Sequence, residues 1–182
     1  MDELIDIVTK KGNSTSKTAL KSVIHTKGYY HNTAHVWFYT TEGEILLSQR
    51  AASKTIYPLL WDVSVAGHVD AGESIEEAAI RETQEELGVT IKQDELEKIG
   101  VFECFQSYEN GIIDNEFHHT YIAKLPVKIR SIQFDTHEVA AVKLVSITEF
   151  EALLTNSSKN SHFVASNYKY YKFVLKQIQN HL

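Results

Sequence analysis

Three glutamates, Glu82, Glu85 and Glu86, lie within six residues of the single base Arg81. At about 100° per residue a helix gathers them into one arc, interleaved with Ala78 and Ala79, while Ile80, Thr83 and Leu87 define a more apolar arc. Like charges at i,i+3 and i,i+4 each destabilise a helix by a few tenths of a kcal/mol, and no lysine on this helix relieves them. A hard divalent cation would. Oxygen-only ligands suit Mg²⁺ or Mn²⁺ rather than zinc, and the small alanines leave room for a hydrated ion and a phosphate. The acids are concentrated: between Asp70 and Glu86 there are seven against Arg81, and the rest of the chain is neutral. A bare charge run of this kind also reads as a solvated helix face.

The elements that must position these groups are legible in part. Ser74 and Glu77 form a capping box and Gly88 supplies a left-handed stop, which sets a helix from about Ile75 to Leu87. Before it, Trp61 to Gly67 reads as a short strand running into a loop. Ala34–Tyr39 and Ile45–Ser48 flank Thr41-Glu42-Gly43-Glu44 as a hairpin. Phe102–Tyr108 and Glu116–Ala123 pair around Glu109-Asn110-Gly111, and Val139–Val145 is a further strand. Helices are expected at Ile147–Leu154 and Tyr168–His181, and Met1 to Lys21 reads as a polar arm. Strands outnumber helices without regular alternation, which predicts a mixed α/β (α+β) sandwich rather than a doubly wound sheet.

Composition narrows the class. At 182 residues and 20.7 kDa, with no repeat or Pro/Ser-rich linker, a single domain spanning 1–182 is expected, with an arm over about 1–21 and a terminal helix over about 168–181. A 43% hydrophobic and 23% charged composition argues against intrinsic disorder. One cysteine, Cys104, excludes an internal disulfide and suits a reducing compartment, so the cytoplasm is expected. No stretch reaches the roughly 20 apolar residues of a membrane span, and the acidic N-terminus is unlike a secretory signal. A net charge of -6 disfavours nucleic acid as a partner.

Gly67, Glu73, Arg81-Glu82, Glu85-Glu86 and Gly88-Val89 stand at the spacing G-x5-E-x7-R-E-U-x-E-E-x-G-U, which resembles the Nudix box. Thr83 is the one departure, standing on the packing side where the family has a bulkier aliphatic. The resemblance implies a Nudix fold, a mixed β-sheet sandwiched between α-helices, and a metal-dependent pyrophosphohydrolase acting on a diphosphate joined to a nucleoside, a prenyl chain or a similar group. By position, Glu82, Glu85 and Glu86 would ligate Mg²⁺ or Mn²⁺, Gly67 would offer its carbonyl, and Glu73 and Arg81 would hold the loop against the helix. The general base would be Glu85, Glu116 or Glu138, in that order. A homodimer is common in this family.

The likeness extends beyond the box. Gly28-Tyr29-Tyr30-His31-Asn32-Thr33-Ala34-His35-Val36-Trp37, Gln49-Arg50 with Lys54, Tyr57-Pro58 and Trp61 to Val69 resemble the branch related to isopentenyl-diphosphate isomerase. That resemblance implies a second divalent metal on His25, His31, His68, Asp114 and Glu116, and a diphosphate clamp of Arg50 and Lys54. An extended segment points Asp114 and Glu116 to one face. His118, His119, His137, His162 and His181 are expected to be ordinary polar residues, and His35 to pack. The isomerases place a proton-transferring cysteine before the Gly-His of the loop; here that residue is Ala66, whose methyl group cannot transfer a proton. Cys104, on a different expected strand, is no evident substitute. Hydrolysis is therefore expected, with isomerisation or a catalytically silent binding module as alternatives.

Overall fold

The computed structural model describes residues 2–182, so Met1, the first residue of the expected arm, lies outside it. The chain runs β1 (Leu4–Val8), β2 (Ser14–Leu20), α1 (Lys21–Lys27), β3 (Tyr30–Tyr39), β4 (Glu44–Arg50), β5 (Trp61–Asp62), β6 (Val65–His68), α2 (Ile75–Leu87), β7 (Glu97–Ser107), β8 (Ile113–Lys124), β9 (Val139–Ser146), α3 (Ile147–Thr155) and α4 (Tyr168–Gln179). Strand β3 organises the fold. It pairs in parallel with β8 over ten residues and antiparallel with β6, and it is buried on both faces.

Its side chains alternate between two cores, as the two-residue period of a strand requires. Ala34, Val36 and Phe38 pack with Ala78, Ala79 and Leu87 of α2, and Trp37 and Tyr39 pack with Phe150 of α3 and Tyr171, Val174 and Ile178 of α4. Helices thus cover both faces of a mixed sheet, the α+β sandwich that the strand count predicts.

Four local expectations are refined. The Thr41–Glu44 turn does join β3 to β4, but their register holds one pair, Tyr39↔Ile45, after which β4 turns to β9 and β5. Trp61 to Gly67 is two short strands, because β5 pairs with β4 while β6 pairs with β3. Residues 4–20 of the polar arm form an antiparallel hairpin, with Ile5 fully buried. Helix α1, absent from the sequence reading, ends at Gly28 in the left-handed conformation and is tied down by the Asn115 amide, which donates to the Gly28 carbonyl at 2.7 Å.

Helix α2 is bounded as its caps dictate. The Ser74 hydroxyl accepts from Glu77 N–H, the Glu77 carboxylate accepts from Ser74 N–H, and Gly88 closes the other end at φ 64°. A Cβ at Gly88 would also stand 2.8 Å from the Gln133 carbonyl oxygen, whereas one at Gly111, φ 85°, meets nothing within 4 Å. Left-handed backbone costs an L-residue about 1–2 kcal/mol. Gly88→Ala should therefore lose about 1–3 kcal/mol in urea unfolding, more than Gly111→Ala. Equal losses would show that the Gln133 contact is irrelevant.

Candidate functional site

Among the described residues β6 pairs with β3 alone, and its Ala66, Gly67 and His68 line a cavity of about 790 Å³ that β3, β4, α2 and β8 also border. Helix α2 meets β6 at Gly67. A Cβ there would fall 1.9 Å from the Glu82 carboxyl carbon, so the glutamate occupies the space that only glycine leaves. Glu86 lies alongside, its carboxylate facing the Ala66 backbone N–H, and is 8% exposed. Burial, reinforced by its neighbour Glu82, raises its pKa to about 8. Burial likewise raises Glu82 to about 7, against the opposing pull of Arg81. Glu85 shares the arc but is 59% exposed at the rim.

The expected repulsion on α2 is relieved by a residue of the helix itself. Arg81 Nη1 donates to Glu82 at 2.8 Å and to Glu85 at 3.0 Å. Its Nε and Nη2 clasp both Glu73 oxygens, at 3.0 and 2.9 Å, and Nη2 also donates to the His68 carbonyl. Glu73 in turn accepts from Asp70 N–H at 3.1 Å, which fastens the loop to the helix. Thr83 is fully buried, and its hydroxyl donates to the Ala79 carbonyl.

A second donor set lies in the same cavity. The ligand atoms of His25, His31 and His68 fall within 4.8 Å of one another, and so do those of His25, Asp114 and Glu116. Four elements bring them together: α1 carries His25, β3 and β6 carry His31 and His68, and β8 carries both acids. His31 Nδ1 stands 3.0 Å from the Tyr29 carbonyl, an acceptor, which assigns the ring proton to that nitrogen and leaves Nε2 facing Glu116 at 3.5 Å. His25 Nδ1 approaches Asp114 Oδ1 to 2.8 Å, yet His25 Nδ1, His31 Nε2 and Asp114 Oδ1 are buried without hydrogen-bond geometry to any group. Buried polar atoms without partners among the described residues, close to other donors, fit a cation.

Two residues set aside by sequence reasoning belong here. His118 holds the second Glu116 oxygen at 2.8 Å and stacks on His35 with centroids 4.0 Å apart. Although burial opposes its charging, Cys104 and Glu116 raise its pKa to about 10. Cys104 on β7 sits opposite Glu116 in the register and lines the cavity, so its place on another strand does not remove it from the site. The i,i+2 spacing on β8 puts His118 on the face of Asp114 and Glu116, whereas Cys104 is brought in only by the β7–β8 register. His35 packs as expected, 2.9 Å from the Tyr170 hydroxyl, and is kept neutral mainly by burial. Arg50 and Lys54 both line the cavity; Lys54 is ion-paired with Glu138, and Arg50 donates from Nε to the Ile56 carbonyl.

A profile of the NUDIX domain matches residues 29–166. The chain belongs to the Nudix family. Nudix enzymes act on diphosphate-linked substrates and in general use divalent metals. Over 159 residues this Nudix chain is 36% identical to Nudix hydrolase 3 of Arabidopsis thaliana, a match covering 85% of it but 20% of the plant protein. It is 33% identical to an uncharacterized Nudix hydrolase of Clostridium acetobutylicum, with 98% of both chains covered. An isopentenyl-diphosphate Delta-isomerase of Photorhabdus laumondii is 33% identical over 157 residues, covering 86% and 85% of the two chains. The crystal structure of DR0079 from Deinococcus radiodurans superposes with a TM-score of 0.70 at 20% identity over 98% of both chains, which shows the Nudix fold. Among the described residues no helix is long and apolar enough to cross a membrane.

The buried pair makes stability depend on pH. Glu82 and Glu86 keep protons in the folded chain up to about 7 and about 8, whereas an unfolded glutamate loses its proton near 4.3. The folded state therefore binds more protons over that interval, and stability falls as pH rises through it. In chelator, the melting temperature should drop between pH 5 and 8, and Mg²⁺ should restore more of it at pH 8 than at pH 5. The Glu82→Gln, Glu86→Gln double variant should flatten the slope. A wild-type slope retained by that variant would contradict the assignment.

Proposed function

We propose that this chain is a metal-dependent pyrophosphohydrolase that cleaves a diphosphate joined to another group, with water attacking phosphorus. The observation carrying this reading is the pair of buried carboxylates, Glu82 pressed against Gly67 and Glu86 beside it, at the edge of a cavity that Arg50 also lines. A cation of the Mg²⁺ or Mn²⁺ class, bound there, would neutralise diphosphate oxygens and lower the pKa of the attacking water. Glu82, Glu86 and Glu85 supply the oxygen ligands, with the Gly67 carbonyl beside them. Glu73 and Arg81 hold the Gly67 loop in register with the helix.

The remaining residues take up the substrate and the proton. Arg50 binds the diphosphate through its guanidinium fork and Lys54 as a point charge, released from Glu138 as phosphate competes for it. Glu85 is the first choice for the base that accepts the proton of water: it stands at the solvent-exposed rim with only Arg81 as partner. Glu116 is engaged by His31 and His118, and Glu138 by Lys54, which ranks both behind it. His25, His31, His68, Asp114 and Glu116 hold a second divalent cation. A homodimer acting in the cytoplasm on a small diphosphate compound completes the reading.

Isomerisation of a prenyl diphosphate is the second reading, and one observation favours it: Cys104 lines the cavity opposite Glu116. Against it stands Ala66, which faces that cavity with no proton to give.

Two outcomes separate the readings. Glu85→Gln or Glu86→Gln should lower kcat/KM for the best diphosphate by about 100-fold or more, the scale of losing a direct electrostatic partner of the transition state. Stability in chelator should be kept or raised in Glu86→Gln, which removes a buried carboxylate beside Glu82, and change little in Glu85→Gln, which loses an exposed pair with Arg81. Wild-type turnover in the double variant would sink the catalytic assignment. The wild-type protein should also fail to incorporate deuterium from heavy water into isopentenyl diphosphate. Incorporation that disappears in Cys104→Ser would establish the isomerase instead.

A further inference from the structure

Away from the cavity, one lysine is held by an imidazole and an indole instead of a carboxylate. Strand β4 separates β5 from β9, and across it Lys143 of β9 reaches Trp61 of β5, its ammonium 4.4 Å from the centre of the ring. His162, in the segment between α3 and α4, lies 11° from parallel to that ring, with centroids 6.0 Å apart, and brings Nε2 to 2.5 Å from Lys143 Nζ. Backbone bonds fix it there: Trp61 N–H donates to the Ser161 carbonyl at 2.8 Å and Phe163 N–H to the Trp61 carbonyl at 2.9 Å. An ammonium has only donors, so Nε2 accepts and the ring proton stands on Nδ1, which is buried without a partner. His162 is thus a neutral imidazole with its lone pair on the lysine. Burial, helped by Lys143, lowers the His162 pKa to about 4, and burial also lowers that of Lys143 against the pull of Glu149. Lys21 and Lys54 are paired with carboxylates; among the described residues Lys143 is not.

An ordinary surface lysine is a strongly hydrated ammonium and a poor nucleophile, whereas one that has lost water and carboxylate partners gives up its proton more readily. We propose that Lys143 is a modification site, an amine that takes an acyl group from an acyl phosphate or a thioester with His162 as its base. The ammonium first gives one proton to solvent. The amine then attacks the acyl carbonyl carbon: the C–N bond forms, and the bond from that carbon to the phosphate oxygen or the thiol sulfur breaks with its electron pair on the leaving group. The proton that nitrogen must still lose passes to His162 Nε2 and on to solvent. None of Trp61, Lys143 and His162 lines the cavity of the carboxylates and histidines, so the proposal stands apart from the hydrolase reading.

The test incubates the whole protein with acetyl phosphate and, in a parallel arm, with acetyl-coenzyme A, and follows acetylation at each lysine by mass spectrometry. Lys10 and Lys11, exposed on the β1–β2 turn, serve as the reference. Lys143 should react about tenfold or more faster than either, short of the ~10²–10⁴ that a positioned base supplies in an enzyme. The arm with the faster reaction at Lys143 identifies the donor as phosphate or thioester. His162→Gln keeps an acceptor for the ammonium but no base, and it should bring Lys143 down to the reference rate while leaving Lys10 and Lys11 unchanged. Reaction at Lys143 no faster than at Lys10 and Lys11 with both donors overturns the proposal on the wild-type protein alone, whether or not the variant folds. An undiminished Lys143 rate in a His162→Gln protein that melts cooperatively overturns it as well.

Discussion

The whole site depends on one close approach: α2 lies so near β6 that the Glu82 carboxyl group fills the place of a side chain at Gly67. From that contact the rest follows. Glu86, one helical turn on, is buried with its carboxylate facing the Ala66 backbone N–H, while Glu85 is left at the rim. The approach is held by Arg81, whose guanidinium joins Glu73 on the loop, the His68 carbonyl on β6 and two box glutamates on its own helix. Two carboxylates are thereby buried at close quarters, and burial raises both pKa values into the neutral range. A helix under that electrostatic load is suited to a cation.

The second donor set depends on a different constraint, the pairing of β3 with β8. Parallel register places His31 beside Glu116 and Thr33 beside His118, and the antiparallel pairing of β6 sets His68 opposite Thr33. Helix α1 then has to deliver His25, and the Asn115 bond to the Gly28 carbonyl, together with the close fit of Gly28 on Ile113, fixes its end against β8. The N-terminal hairpin bears on the box as well: Ala71 N–H donates to the Leu4 carbonyl, Gly72 N–H to Asp6, and Glu3 approaches His68 Nδ1 to 3.6 Å. Residues 4–27 thus help to shape the cavity.

These two constraints differ in how far the sequence reveals them. The box helix is legible because everything that defines it is local: its caps are Ser74, Glu77 and Gly88, and the carboxylates follow helical period. The histidine set follows from the resemblance to a known motif; in the structure His25 is shared by two triads, one with His31 and His68 and one with Asp114 and Glu116. His118 stands two residues from Glu116 on β8 and could have been read from strand alternation, whereas Cys104 is illegible because its place opposite Glu116 is set across strands. The break between β5 and β6 is hidden for the same reason, since each half takes a different partner. The role of Arg81 in quenching the repulsion on its own helix was readable from its i,i+4 spacing to Glu85 but not its simultaneous reach to the loop.

On the proposed reading, one cavity holds two distinct cation sites, one of carboxylates on α2 and one of histidines and acids on α1, β3, β6 and β8. The most direct measurement is a Mn²⁺ titration of the metal-stripped protein followed by electron paramagnetic resonance. Wild type should bind two ions. The Glu82→Gln, Glu86→Gln variant should keep only the histidine site, and the His31→Ala, His68→Ala variant only the carboxylate site. The histidine site should empty as pH falls through the ~6.5 typical of imidazole, because protonated rings cannot ligate. One ion in wild type, or two ions in either variant, would contradict the account.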